Sequence, residues 1–327
     1  MKIGVLGTGM IAKEFLQVAP TVRGITLAAL CSTPRSAALG QALCAQYHIP
    51  HAFTDTAALL ADATVDTVYL GIPNALHYET AKKALLAGKN VLCEKPMAPR
   101  AAEVAELMEL AKAQGRFLLE AVTTRYLPNV LKMRTLLPAL GEVKLAVLNF
   151  SQYSSRYDAF KRGVIAPVFD PKQAGGALND LNVYNINLLV ALFGAPQTVH
   201  YQANITGGID TSGILTLGYG HFQAACIAAK DCGAPLASTI QGDAGNLHFS
   251  VTPNSLEAFA LQKNGEEEQR FALNGPHHRM YHELVEFERI IAENDLAAAA
   301  KSQTDSLIAA KVLTEARAQA GIIFPGD

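Results

Sequence analysis

The chain has 327 residues, half of them apolar and 17% charged, with a formal net charge of −2. That length suffices for two domains, each with a core of its own. The near-neutral balance without a basic cluster argues against nucleic acid or an anionic membrane surface as partner, and no apolar run approaches the ~20 residues of a membrane span.

Ile3, Val5 and Leu6 read as a buried parallel strand that runs into Gly7-Thr8-Gly9-Met10-Ile11-Ala12. Gly7, Gly9 and Ala12 fill the three small-residue positions of a G-x-G-x-x-G/A turn, ahead of a helix running toward Val18. The first position takes the backbone angles of a tight turn, the second lets the main chain approach a pyrophosphate, and the third lets helix and strand pack closely. The pyrophosphate of a dinucleotide then rests on the helix N-terminus. A ligand-free glycine turn has the same letters, but the strand before it and the helix after it favour the nucleotide. Gly7, Thr8, Gly9, Met10 and Ile11 are accordingly candidate cofactor contacts.

A second strand over residues 26–31 ends in Cys31-Ser32-Thr33-Pro34-Arg35. An NAD-specific site presents Asp or Glu there to the ribose hydroxyls, and here Ser32 stands at that position. A carboxylate repels a 2′-phosphate, whereas the hydroxyls of Ser32 and Thr33 and the guanidinium of Arg35 bond it with charge assistance. The loop therefore favours NADP, with NAD as the alternative. The competing structural reading makes Arg35 an exposed residue of the next helix and Ser32 and Thr33 simple turn formers.

Further strands are expected near residues 67–72, 91–93 and 117–119, with helices near 36–47, 76–87 and 101–113; Gly88 and Gly115 stop the last two. This alternation is the order of a doubly wound parallel sheet, so residues 1–121 read as an NAD(P)-binding Rossmann domain. Pro73-Asn74 precedes the helix near 76–87, where Asn74 reads as a helix N-cap and His77 belongs to the first turn. The strand near 91–93 ends in Glu94-Lys95-Pro96 at the carboxyl edge, where open α/β sheets bind ligands, and this aims Lys95 at the nicotinamide. Glu120, Arg125 and Asn129 follow the last strand. Arg125 either bonds a substrate hydroxyl or ties the domains together.

Residues 122–327 change character and read as a substrate-binding and oligomerisation domain. A helix near 129–137 and a strand near 143–150 lead into a polar, aromatic loop over 151–170, long enough to suggest function, in which Tyr153, Arg156 and Tyr157 face substrate selection. A helix follows at 179–193. Alternating segments near 198–205, 213–217, 223–228, 238–241 and 246–250 then form an open, mostly antiparallel sheet. Helices near 281–293 and 305–318 close the chain. The fold class is thus α/β plus α+β. Few helices remain to cover the second sheet, so one face is expected to be buried in a homodimer or homotetramer.

The glycine turn, the Pro73-Asn74 step, Glu94-Lys95-Pro96 and the run from Gly175 to Tyr184 together resemble the Gfo/Idh/MocA oxidoreductases, over essentially the whole chain. The resemblance implies a two-domain NAD(P)-dependent enzyme that moves hydride to or from a carbinol carbon of a sugar, polyol or cyclic diol. It maps the family's lysine onto Lys95, which would bond the reacting oxygen and the cofactor. It places Asn74 and Glu94 near the nicotinamide ribose. Asp180 matches the second-domain motif, where it orients the lysine or binds a substrate hydroxyl; its simpler reading is a helix N-terminal charge.

Asn182 replaces the family's Gly, Tyr184 its His and Asn187 its final Asp, a pattern similar to the dihydrodiol dehydrogenase-like and aldose-oxidising branch. Hydride transfer to a carbonyl leaves an alkoxide that needs a proton, and a phenol supplies it if an ammonium such as Lys95 lowers its reference pKa of about 10. Tyr184 otherwise reads as a core ring with a polar handle. Asn187 lies two turns beyond Asp180 on the same face, able to bond substrate but not to act as a base. The Asn182 and Asn187 departures keep a non-catalytic NAD(P)-binding regulator as one alternative, and a redox-assisted glycosidase is another.

Five scattered cysteines without a C-x-x-C pair suit reduced thiols, and the N-terminal stretch lacks the parts of a secretory signal, so a cytoplasmic protein is expected. His278 and His282 have zinc-like i, i+4 spacing on an expected helix but no third ligand, and no metal is expected.

Overall fold

The computed structural model describes residues 1–327. The chain divides into two compact units, Met1–Ala121 with Met280–Leu307, and Val122–Arg279 with Ile308–Asp327. The stretch 280–307, grouped with the second domain on sequence, packs with the first unit.

In the first unit the elements run β1 (Lys2–Leu6), α1 (Met10–Val18), β2 (Thr26–Cys31), α2 (Ala37–Gln46), β3 (His51–Phe53), α3 (Thr56–Ala61), β4 (Thr67–Leu70), α4 (His77–Leu86), β5 (Asn90–Glu94), α5 (Ala101–Ala113) and β6 (Leu118–Ala121). The six strands are parallel in the order β3-β2-β1-β4-β5-β6. This is the doubly wound order, with its switch point between β1 and β4. Central strands are buried along their length, as parallel strands covered on both faces must be. The ring of Phe15 on α1 stacks on that of Tyr69 on β4 at 3.7 Å. Sequence periodicity missed β3 and α3. The strand has three residues at the sheet edge, too few to show a period, and α3 is announced only by Asp55, which caps it by accepting from Ala57 N–H at 3.0 Å.

The second unit holds α6 (Pro128–Leu136), β7 (Val143–Ser151), α7 (Tyr157–Lys161), a π-helical turn (Leu178–Asn182) leading into α8 (Val183–Phe193), and strands β8 (Thr198–Thr206), β9 (Ile209–Gly218), β10 (Gln223–Ala229), β11 (Ser238–Gly242), β12 (Gly245–Phe249), β13 (Phe259–Lys263) and β14 (Gln269–Phe271). They form one eight-stranded sheet in the order β14-β13-β12-β11-β7-β10-β9-β8, antiparallel except for the β7–β10 pair. The last two strands were not anticipated.

One face of the sheet packs Leu148, Phe150, Leu215, Leu217 and Cys226 against Met133 of α6 and Ile186, Leu189 and Val190 of α8. The other face alternates outward: Leu145 and Ile214 are each 48% exposed, and Val147, Ala225 and Ile227 are half-buried.

Two helices complete the chain, α9 (Tyr281–Ala292) and α10 (Leu296–Gln319). On α9, Leu284, Phe287 and Ile290 form the buried stripe. The second helix starts nine residues before the predicted 305, because the alanines at 297–300 extend it toward the N-terminus.

Candidate functional site

The glycine turn leaves β1 at the switch point. Gly7 has φ +113°, and a Cβ there would stand 2.2 Å from the Gly71 carbonyl, so its requirement for glycine is steric and internal. Gly9 differs. Its φ is −72°, which any residue adopts, and a Cβ there would meet no protein atom within 4 Å. A side chain at Gly9 would point into open space, so the backbone there leaves room for a pyrophosphate. Ala12 is small because a Cβ on Gly71 would stand 3.1 Å from its own. Helix α1 has no side-chain cap and no acidic residue in its first turn, which leaves its N-terminal N–H groups and positive dipole end for an anion. Thr8 and Ile11 are half-buried, and Met10 is 65% exposed at the turn.

Beyond β2 the structure revises the sequence reading. Ser32 is buried, and a Cβ on Gly40 of α2 would lie 2.8 Å from its hydroxyl, so this side chain is packed beneath the helix and not presented to a phosphate. Thr33 and Arg35 are exposed. Ser36, which sequence reasoning passed over, joins them. Its hydroxyl accepts from Thr33 N–H at 3.1 Å and lies 2.9 Å from the Thr33 hydroxyl, closing a capping box over Pro34–Ser36. The T-x-x-S spacing was the available signal.

At the carboxyl edge of β4 and β5, His77 is fully buried, with Nδ1 2.8 Å from the Pro96 carbonyl and Nε2 2.9 Å from that of Ile72. It joins the two loops, and its ring nitrogens are committed within the protein, so it is not placed as a cofactor contact. Burial is the largest influence on it and holds its pKa below the usual histidine range; the Pro96 and Ile72 carbonyls and Glu120 oppose this, and Lys95 adds to it. Pro73 is exposed and Asn74 half-buried in a 3-10 turn that no side chain caps, so Asn74 is not the N-cap that the sequence allowed. Glu94 is buried, and its carboxylate accepts from the Tyr69 hydroxyl at 2.7 Å and from Lys95 N–H at 3.3 Å. Glu120 accepts from Met97 N–H at 2.8 Å. Lys95 is thus a half-buried lysine on a loop whose backbone is held from both sides.

In the second unit the π turn and α8 carry Asp180 and Tyr184. The entry of this helix is fixed by Asp210, fully buried on β9, whose Oδ2 accepts from Leu178 N–H at 2.6 Å and from the Tyr201 hydroxyl at 2.8 Å. Burial pushes the Asp210 carboxyl up to about 6, against the pull of the Leu178 N–H, the Tyr201 hydroxyl and the charge of Lys230. Asn182 and Asn185 fasten the same helix to β10, donating to the carbonyls of Cys226 and Ile227, each at 3.1 Å.

Tyr184 is mostly buried, its ring 6.0 Å from that of Phe150. Asp180 is partly exposed and paired with Lys230 at 2.6 Å. Asn187 is fully buried: its oxygen accepts from Arg125 Nε at 2.8 Å and from Nη2, and its nitrogen donates to Val183 O at 2.7 Å. These bonds make Asn187 and the buried Arg125 a strut between α8 and the turn at Thr123–Tyr126.

His278 precedes α9 and so does not share a helical face with His282. No three His, Cys, Asp or Glu side chains gather in a metal-holding group.

A doubly wound sheet with this glycine turn at its switch point defines a dinucleotide-binding unit, here followed by an open-sheet unit. Residues 1–121 match the profile of an oxidoreductase family with an NAD-binding Rossmann fold, Gfo/Idh/MocA. The chain is 35% identical over 330 residues to a scyllo-inositol 2-dehydrogenase (NADP(+)) of Bacillus subtilis, covering 100% of this chain and 99% of that protein. It is 28% identical to a trans-1,2-dihydrobenzene-1,2-diol dehydrogenase of Danio rerio, over 100% and 99%. A 3-ketoreductase from Actinomadura kijaniata, solved with NADP and TDP-benzene, superposes with a TM-score of 0.86 at 21% identity, over 99% of both chains. The chain belongs to the Gfo/Idh/MocA family.

Proposed function

We propose that this protein transfers hydride between NADP and a secondary alcohol or hemiacetal carbon of a cyclic polyol, sugar or diol. The observation that carries the reading is Gly9, whose side is kept clear of protein at the head of an uncapped helix. The loop of Thr33, Arg35 and Ser36, which holds two hydroxyls and a guanidinium and no carboxylate, supports the phosphorylated dinucleotide over NAD. The Bacillus relative's stated NADP dependence and inositol substrate point the same way.

Residues 1–121 bind the dinucleotide, and the second unit takes substrate. When bound, NADP supplies the hydride acceptor. Lys95 bonds the reacting oxygen, and Tyr184 holds or returns the proton that the hydroxyl exchanges as it becomes a carbonyl. Glu94 sets Lys95 by accepting its backbone N–H. The outward face of the eight-stranded sheet, apolar at Leu145, Val147, Ala225, Ile214 and Ile227, forms the interface of a homodimer or homotetramer. Five unpaired cysteines, four of them buried, suit a cytoplasmic enzyme.

Calorimetric titration with NADP and NAD tests the reading. NADP binds the parent more tightly, and Arg35→Ala weakens it about tenfold, ~1.4 kcal/mol. NAD binding as tightly as NADP, or no effect of Arg35→Ala, overturns the cofactor assignment. Absence of any NADP-linked absorbance change at 340 nm with inositols, aldoses and cyclic diols overturns the substrate class.

A further inference from the structure

Lys230 follows the last residue of β10, with 3% of its side chain exposed against 31% for that of Asp180. Its Nζ stands 2.6 Å from Asp180 Oδ2, donates to the Val168 carbonyl at 2.9 Å and lies 4.7 Å from the centre of the buried Phe169 ring. Carboxylate, carbonyl and ring face each present negative charge to an ammonium. The backbone is held as well: Lys230 N–H donates to Thr211 O at 2.7 Å, and Lys230 O accepts from Ser154 N–H at 2.9 Å. The Val168 carbonyl also accepts from Gly176 N–H at 3.1 Å. One amine thus gathers the end of the 151–170 loop, the turn before α8 and the carboxylate of Asp180.

Packing alone does not call for this arrangement. Fixing a lysine costs side-chain entropy, and an apolar side chain of similar volume fills such a space without desolvating a charge. The pair is also one-sided. The amine is enclosed, while the carboxylate it grips keeps part of its surface exposed. An ionised carboxylate accepts hydrogen bonds and donates none, so held rigidly it selects a donor, and the donor a sugar or polyol offers is a hydroxyl.

We propose that Lys230 is a positioning residue of the hydride-transfer reaction, clamping Asp180 as a fixed acceptor for a substrate hydroxyl next to the reacting carbinol and so selecting vicinal diols and polyols over mono-alcohols. This rests on the functional reading above. A substrate lacking that hydroxyl forgoes a charge-assisted hydrogen bond to the clamped carboxylate, which sets the discrimination.

The test compares the parent with Lys230→Met, which keeps chain length and removes charge. Three substrates are offered with NADP: scyllo-inositol, trans-cyclohexane-1,2-diol and D-xylose. The best of them is then set against its analogue without the hydroxyl beside the reacting carbon. We expect Lys230→Met to lower the kcat/KM preference for the hydroxylated substrate by about tenfold or more, mostly through KM, and the Asp180→Asn/Lys230→Met pair to lose little beyond Asp180→Asn alone.

An unchanged preference, or additive losses in the double variant, overturns the role of Lys230 while leaving the oxidoreductase reading intact. A parent that turns over none of the three overturns that reading, and this inference with it. Should Lys230→Met fail to fold, Lys230→Arg reads the same ratio. Its charge is kept but its donors are displaced, and a preference within about twofold of the parent's counts against the clamp.

Discussion

Gly7 and Gly9 occupy the same turn for different reasons, and the difference separates folding from binding. Gly7 combines φ +113° with a carbonyl 2.2 Å from any Cβ, so Gly7→Ala is expected to cost roughly 1–3 kcal/mol of stability. Gly9 has ordinary angles and open space beside it, and it is the N-cap of α1, where serine is a better cap than glycine. Gly9→Ser should therefore melt at or above the parent's temperature yet bind NADP about tenfold more weakly or worse, since the added atoms occupy the ligand's side of the turn. Thermal melts paired with calorimetry check both. A Gly9→Ser protein that binds NADP as the parent does removes the argument from the cleared space.

The proton side is read from two substitutions at the same scale. Tyr184→Phe keeps the ring that packs near Phe150 and deletes only the hydroxyl. It is expected to lower kcat by about 100-fold with NADP affinity unchanged, and Lys95→Met to lower it at least as much. A kcat within threefold of the parent for either variant, in stopped assays at saturating substrate, removes that residue from the chemistry.

At the scale of elements, the placement of α8 depends on a buried carboxylate. Asp210 holds the Leu178 N–H and the Tyr201 hydroxyl, and its folded pKa of about 6 stands above the unfolded value near 3.9. Between those values the folded chain keeps a proton that the unfolded chain has released. Folding is therefore favoured at the acid end of the window, and this contribution is lost as pH rises through 6. Asn at 210 accepts from both partners and does not titrate. The stability of the parent relative to Asp210→Asn should fall by about 1 kcal/mol from pH 5 to pH 7. Urea unfolding at the two pH values reads the difference, and a gap that stays constant assigns the pH dependence to other groups.

The elements also show what was legible in the sequence. Five of the six strands, the turn and the position of Glu94-Lys95-Pro96 at the end of β5 follow from alternation and glycine placement, whereas the short edge strand β3 and α3 do not. The burial of Ser32 and His77 was not legible because burial is a property of neighbours: the closeness of Gly40 to Ser32, and of Pro96 to His77, is created by the fold. The same holds for Asn187, whose partner Arg125 lies 62 residues away, and for the π turn, which carries no periodic signal of its own. Asp180 and Tyr184 were named by a motif, whereas the lysine that grips Asp180, 50 residues on, had no motif to announce it.

For the whole molecule, the remaining question is what covers the outward face of the eight-stranded sheet. The return of Met280–Leu307 to the first unit leaves the second with still fewer helices than its sequence promised. Ile214 pairs across the ladder with Ile227, and Val147 with Ala225, so the apolar residues of three adjacent strands form one patch. An antiparallel sheet tolerates one wet face, but wet faces carry polar side chains, and this one places Leu145 and Ile214 half exposed in its middle. Burial against a second copy resolves the conflict, and a two-fold operator brings the same patch from both chains. A glutamate at 214 would then be buried beside apolar residues without a partner, a cost of several kcal/mol to association. Sedimentation should show the parent as a dimer or tetramer at micromolar concentration and Ile214→Glu as a smaller species that still binds NADP, because the glycine turn lies in the other unit. A parent that sediments as a monomer means that this face is covered by something other than its own copy.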